Sequence, residues 1–217
     1  EDQFDSMKKW VEYIRAQGDN EFLWNTGEHY GDWLGLDAEE GSYKGATDEG
    51  LIATAYFAYS TSLLIKAGKV LGKDMSEYER LHEGIRNAFQ QTYLKDGVPM
   101  TDTQTARVLA LHFDLCDNKA QMAAGLAKLI EQNGNRLSTG FVGTLYLLHA
   151  LSDNGYAELA YTLLLQEEFP SWLYSVKAGA TTIWEHWDSV RPDGSMWSTD
   201  MNSFNHYAYG AVADWMY

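Results

Sequence analysis

The chain has 217 residues, enough for one domain with a sizeable core, and 45% of them are apolar, which excludes a disordered chain. Sixteen basic residues against 31 acidic ones give a net charge of −15, which excludes the phosphate-neutralising surface of a nucleic-acid binder and disfavours an anionic membrane surface. The single cysteine, Cys116, excludes an internal disulfide and a cysteine metal site, and no apolar run is long enough to span a bilayer.

Apolar residues recur at helical spacing along most of the chain and predict eight helices. Phe4, Met7, Trp10, Val11 and Ile14 mark the first, which Gly18 stops. Ile52 to Val70 form a long second helix ending near Gly72. Ser76-Glu77-Tyr78-Glu79 reads as a capping box opening the third, with Tyr78, Leu81, Ile85 and Phe89 on its apolar face. Thr101-Asp102-Thr103-Gln104 reads as a second box, before a fourth helix with Leu109 and Phe113; Cys116 follows at helical spacing as a small core residue. The fifth carries Ala123, Leu126, Ala127 and Ile130, the sixth Phe141, Leu145, Leu148 and Leu151, and the seventh Tyr156, Leu159, Leu163 and Leu164. The eighth runs from Phe204 to Trp215, and short β pieces such as Trp172-Leu173-Tyr174 are confined to loops.

The connections alternate in length. Those after the second, fourth and sixth helices are tight, whereas 18–45, 95–101, 133–139 and 168–200 are long. Alternate connections of antiparallel hairpins lie at opposite ends of the layer, so the long loops are expected on one face, with the even-numbered helices as the inner layer. The fold class is all-α, an α/α-toroid; without a fixed-period repeat, a flat solenoid is disfavoured.

The two longest loops hold the chemistry. One contains Glu28-His29-Tyr30-Gly31-Asp32-Trp33; the other contains Trp184-Glu185-His186-Trp187-Asp188, then Asn205 and His206. A carboxylate between two Trp residues is poorly solvated in its charged form, which suits proton transfer. Glycoside hydrolysis needs two carboxyl groups flanking the scissile bond. Eight Trp and 14 Tyr fit a sugar-binding cleft, because aromatic faces pack on sugar C–H groups. Asp32 in a Gly-Asp-Trp turn is equally readable as a turn residue, and His206 as a cap contact. No His pair has helical ligand spacing, so neither metal nor cofactor is expected. Ser138 and Ser203 lack a nucleophile elbow, which argues against a serine hydrolase.

Several of these stretches resemble the glycoside hydrolase family 78 bacterial α-L-rhamnosidases. They are Tyr30-Gly31-Asp32-Trp33-Leu34, Thr139-Gly140-Phe141-Val142-Gly143-Thr144, Ser171-Trp172-Leu173-Tyr174-Ser175-Val176 with Gly179 to Glu185, and Asp200 to Gly210; Thr103-Gln104-Thr105 is a weaker match. The resemblance implies an (α/α)6 barrel and inverting hydrolysis of terminal α-L-rhamnose. It implies Glu185 as general base and Asp32, Trp33 and His206 as substrate contacts, with Trp184 and Trp187 lining the pocket for the sugar's methyl group. The partner implied is a rhamnose-containing carbohydrate or glycoside. The family pattern has Arg after the catalytic Glu, where this chain has His186.

The family's general-acid motif, Asp-x-Pro-x-Arg-x-Glu-Arg followed by Gly-Trp-Thr-Gly-Asp, has no match here, and about eight of twelve barrel helices are read. The expectation is therefore that 1–217 is the C-terminal portion of one catalytic domain, truncated at both ends, with further domains outside it. Such a piece would expose Phe4, Trp10 and Trp215 and self-associate. Two alternatives stand beside it: another α/α-toroid carbohydrate-active enzyme, such as a different glycosidase, a lyase or an epimerase, and a non-catalytic carbohydrate-binding domain. A buried aromatic platform without a carboxylate would favour the last.

Overall fold

The computed structural model describes residues 1–217. Its helices are α1 (Phe4–Arg15), α2 (Glu49–Val70), α3 (Ser76–Tyr93), α4 (Gln104–His112), α5 (Lys119–Gln132), α6 (Phe141–Ser152), α7 (Ala157–Leu164), α8 (Trp172–Lys177) and α9 (Val212–Met216). A hairpin of β1 (Leu94–Lys95) and β2 (Val98–Pro99) links α3 to α4, and a 3-10 turn, Ala208–Ala211, leads into α9.

The helices form two layers. Helices α2, α4 and α6 pack side by side, followed by the 3-10 turn, while α1 and α3 lie on α2, α5 on α4 and α7 on α6. Composition explains the layers. In α4 every residue from Gln104 to Leu111 is buried, as an inner helix flanked on several sides requires. In α3 the buried residues are Tyr78, Leu81, Ile85, Phe89 and Tyr93, one stripe on an otherwise charged helix. The core joins these faces into a single cluster that includes Cys116.

Local chemistry differs from the sequence expectation at four places. The expected capping box at Ser76 is replaced by Asp74, whose carboxylate accepts from the Ser76 N–H and hydroxyl at 2.9 and 2.6 Å. At α4 the cap is Thr103, not Thr101: its hydroxyl accepts from the Ala106 N–H at 3.1 Å. Trp172-Leu173-Tyr174 is helical rather than extended, because the Ser171 hydroxyl accepts from the Tyr174 N–H at 3.0 Å and starts α8. The eighth predicted helix shortens to the 3-10 turn and α9, since Phe204 and His206 are drawn into backbone bonding with 182–183.

Three of the four long connections meet at one end of the layer. Leu36 N–H donates to Ser138 O, joining 18–45 to 133–139, and Tyr43 lies 6.2 Å from Trp197, joining 18–45 to 168–200. The fourth, the β hairpin, instead turns down the outer layer, where Asp96 O accepts from Gln121 in the first turn of α5. Of the residues expected to be exposed, Trp10 is, but Phe4 is buried beneath Lys73, whose Nζ stands 5.0 Å from its ring. Trp215 is half-buried and donates to the Ser152 hydroxyl at 2.9 Å. No helix is long and apolar enough to cross a membrane.

Candidate active site

The Gly-Asp-Trp turn docks on the start of α6. Asp32, 1% exposed, accepts from Val142 N–H and Gly143 N–H at 2.9 and 3.1 Å with Oδ1. Its Oδ2 accepts from Gly140 N–H at 2.7 Å and from the Thr105 hydroxyl at 2.5 Å. The first N–H groups of a helix have no partner within it, and the N-cap Gly140 has no side chain to offer. A carboxylate more than a hundred residues away in sequence therefore caps α6, where the helix dipole also favours negative charge. Burial pushes the Asp32 carboxyl above its ordinary pKa, while the Thr105, Gly140 and Gly143 donors pull it down.

Asp32, expected as a sugar contact, has both oxygens engaged within the protein and closed to solvent. The close approach also explains two glycines. A Cβ on Gly140 would sit 2.3 Å from Trp33 O and 2.7 Å from Gly35 N, and one on Gly143 would sit 2.2 Å from Thr105 Oγ1.

Beyond Asp32 the chain places Trp33 at the edge of the same surface. Its carbonyl accepts from Phe141 N–H at 2.9 Å, and it bridges Lys44, which is ion-paired to Glu49 at 3.0 Å. Its half-buried indole packs against Tyr30 and Tyr43, with ring centres at 5.8 and 5.4 Å. From Tyr43 the aromatic contacts continue through Trp197 to His186.

Glu185 sits on the irregular stretch 182–185, which is hydrogen-bonded to 203–206. Glu185 N–H donates to Ser203 O at 2.9 Å and His206 N–H to Ile183 O at 2.8 Å. The Thr182 hydroxyl donates to Phe204 O. Ser203 N–H donates in turn to the Glu185 carboxylate at 2.8 Å. The neighbours of Glu185 are anchors. Trp184, 7% exposed, packs edge-on against Phe204 at 5.7 Å. His186 stacks on Trp197 at 3.6 Å and 16° and donates from Nε2 to Met201 O at 3.0 Å; burial lowers its pKa, so the ring is neutral. Trp187, 4% exposed, stacks on Tyr209 at 3.8 Å and 17° and belongs to the hydrophobic core, with its Nε1 unpartnered. From Trp184 to Trp187, Glu185 alone stays half-exposed. Trp187 thus supports the loop, facing a small cavity of about 120 Å³ that it shares with Tyr43, Asp188 and Trp197.

His206 completes the surface. Its ring stacks on Phe141 at 4.9 Å and 22°, and its Nδ1 accepts from Ala208 N–H at 3.4 Å. A backbone N–H only donates, so Nδ1 is the bare nitrogen and Nε2 carries the proton, with no protein acceptor. The structure therefore links the sequence-predicted residues through contacts in series: Asp32 holds the start of α6, Phe141 opens α6 and stacks on His206, and His206 shares a paired backbone with Glu185. Thr105, Phe141 and Ser203 are the partners that sequence reasoning gave no role. All three lie within the matched motifs, which was the available signal. Ser203 was weighed only as a nucleophile, whereas its backbone N–H is what counts. No group of three or more metal-ligating side chains is present.

Comparison with known proteins gives the family of the chain. The profile of the bacterial alpha-L-rhamnosidase 6 hairpin glycosidase domain matches residues 1–217. The chain is 44% identical over 219 residues to an α-L-rhamnosidase of Streptomyces avermitilis, covering 100% of this chain and 20% of that protein. It is 42% identical over 223 residues to one of Formosa agariphila, covering 100% and 24%. The crystal structure of the Streptomyces avermitilis enzyme complexed with L-rhamnose superposes on the whole chain with a TM-score of 0.92 at 43% identity, over 20% of that chain. That of native α-L-rhamnosidase from Aspergillus terreus superposes with a TM-score of 0.91 at 36% identity, over 99% of this chain and 26% of that one. The chain thus spans 20–24% of the length of the curated relatives quoted, and its helical hairpins are those of an (α/α)6 toroid. With family profile, sequence and fold in agreement over its whole length, the chain belongs to the bacterial α-L-rhamnosidase six-hairpin glycosidase domain family.

Proposed function

We propose that this chain supplies the general base of an inverting α-L-rhamnosidase, and that Glu185 is that base. The observation that carries the reading is the setting of Glu185. From Trp184 to Trp187 it alone stays half-exposed, with one backbone donor fixing its orientation. Asp32, the other carboxylate in a Trp-containing motif, has no oxygen to spare. The similarity to a solved enzyme holding L-rhamnose supports rhamnose as the sugar recognised.

In this reading Glu185 accepts a proton from water as the water attacks the anomeric carbon. The second carboxyl group, which protonates the leaving oxygen, belongs to the acid motif absent from these residues. An inverting pair stands roughly 6.5–9.5 Å apart, leaving room for the water. His206 Nε2–H donates to a sugar hydroxyl, and the half-buried Trp33 ring flanks the sugar's apolar side. The natural substrates are rhamnose-terminated glycosides or polysaccharides.

The test uses the protein that carries this chain, with an α-L-rhamnoside as substrate. Proton NMR of the first product is expected to show β-L-rhamnose. Glu185→Gln is expected to reduce kcat by about 10²–10⁴-fold while rhamnose still binds, because it removes proton abstraction and little volume. Retained configuration or near wild-type turnover in the variant overturns the assignment.

A further inference from the structure

A cleft of about 700 Å³ opens beside the loop cluster, and neither Glu185 nor His206 lines it. Its wall comes from four separate stretches of chain: the turn after Trp33, the residues ahead of α4, the α5–α6 connection and the residues ahead of α8. These walls are fixed. Gln104 is buried; its Nε2 donates to Arg136 O at 3.2 Å and its Oε1 accepts from Ser138 N–H at 2.9 Å. Asn133 donates to the same Arg136 carbonyl at 3.0 Å. Asp37 Oδ1 accepts from Ala46 N–H at 3.0 Å, which leaves Oδ2 without a protein donor.

The lining is rich in groups that bind hydroxyls. Asp37, Asp102, Gln132 and Arg136 line the cleft together with Phe169, which is 40% exposed. The Arg136 Nε is buried without an acceptor, so the guanidinium meets the cleft through its terminal nitrogens. Asp102 is paired with Arg107 at 2.6 Å and Arg136 with Glu168 at 3.4 Å, which leaves Asp37 as the lining charge without a counter-ion. An anionic ligand is disfavoured by that balance. Carboxylates, amides and a guanidinium around one open aromatic face are the complement of neutral sugar rings.

The cleft is also continuous with the candidate active-site loop. Leu36 and Phe169 line both this cleft and the smaller cavity that Trp187, Asp188 and Trp197 close on the other side. The two hollows are thus neighbours, with Leu36 and Phe169 between them, and lie between the 186–188 stretch and Arg136.

We propose that the cleft bounded by Asp37, Asp102, Arg136 and Phe169 is a second carbohydrate-binding site, which holds neutral sugar residues of the glycan whose end is presented to Glu185. The proposal rests on the rhamnosidase reading for its substrate, but the cleft's chemistry stands without it. A short substrate never reaches Arg136, whereas a longer glycan gains affinity there.

The experiment compares Phe169→Ala and Arg136→Gln with the unsubstituted protein that carries this chain. An aryl α-L-rhamnoside is the short probe and a neutral, rhamnose-terminated oligosaccharide of several sugars the long one. Both variants are expected to turn over the aryl rhamnoside normally, which also reports that they are folded. Each is expected to raise KM for the oligosaccharide about tenfold with kcat unchanged, the loss of roughly one good contact. Unchanged KM for the oligosaccharide alongside normal aryl turnover overturns the second site. Absence of rhamnosidase activity in the unsubstituted protein sinks the enzyme reading instead. Calorimetric titration with a rhamnose-free neutral oligosaccharide then decides the cleft alone: binding lost in both variants supports it, and no binding to the unsubstituted protein overturns it.

Discussion

Asp32 and Glu185 are both acidic residues next to a tryptophan in a long loop, and the structure gives them opposite surroundings. Asp32 is sealed under its turn and takes four hydrogen bonds from α4 and the start of α6. Glu185 takes one, from the Ser203 backbone, and remains half-exposed. The difference lies in what each segment packs on. The 30–34 turn lies on a helix N-terminus, whose unpaired N–H groups need an acceptor. The 182–185 segment pairs with 203–206 and points its buried side chains, Trp184, His186 and Trp187, into aromatic partners instead. A carboxylate saturated by donors is a structural anchor; a carboxylate held by one donor among rigid neighbours keeps a lone pair for chemistry.

The widest separation between the two regions is expected from paired substitutions read by both turnover and thermal stability. Glu185→Gln is expected to lose about 10²–10⁴-fold in kcat with little change in Tm, because a half-exposed side chain contributes little to folding. Asp32→Ala strands the Thr105 hydroxyl and three backbone N–H groups, and is expected to destabilise the fold by about 3–5 kcal/mol, measured by chemical denaturation. An Asp32→Ala protein that keeps its stability but loses turnover would reverse the two roles.

Much of this was legible in the sequence, for identifiable reasons. The 3.6-residue period placed α1 to α7 because their apolar stripes face a single core. The alternating connection lengths located the loop cluster, except for 95–101, where a β hairpin turned the chain away. Helix starts were less legible. Asp74 and Thr103 do the capping that Ser76 and Thr101 seemed placed to do, since side-chain geometry decides between neighbouring Ser, Thr and Asp residues. The motif resemblance picked out Glu185 and His206, but not what holds them. Asp32 bonds to residues more than a hundred positions away, and no local pattern carries such a contact. The split of the Trp184–Trp187 run into one accessible residue and three buried ones also depends on Tyr209, Trp197 and Phe204, all of which come later in the chain.

The connection between the two regions runs through Gly140 and Phe141, and Gly140→Ala tests it with a smaller effect. A Cβ there meets backbone atoms of Trp33 and Gly35 rather than a flexible side-chain tip, so the turn itself has to lift. The expected cost is about 1–3 kcal/mol of stability, typical of overpacking. Phe141 moves with the turn because its N–H bonds Trp33 O, and the ring carries the His206 stack. KM for an α-L-rhamnoside is therefore expected to rise more than kcat falls. If stability drops while KM stays fixed, the contacts between Asp32 and His206 do not transmit position.

The smallest expected effect is a pH dependence confined to the Glu185 side. His186 is buried against Trp197, donates from Nε2 to a carbonyl, and has its pKa lowered by desolvation. A histidine whose folded pKa lies below its unfolded value near 6.5 adds stability that is complete above that value. The contribution is lost as pH falls through the folded pKa, because the unfolded chain takes up the proton first. Protonation of the buried ring would also set a charge against the indole with no carboxylate bonded to it. His82 and His112 are lowered by burial as well, so the whole-protein slope below about pH 6.5 sums three groups. The share of His186 is isolated by His186→Phe, which keeps a flat ring on Trp197 and removes the titration. Denaturation curves at pH 7.5 and 5.5 are expected to show the variant losing less stability on acidification than the unsubstituted protein, by about 1 kcal/mol or less. Equal slopes for the two proteins would mean that His186 takes up its proton as readily folded as unfolded, and its burial against Trp197 would not depress its pKa.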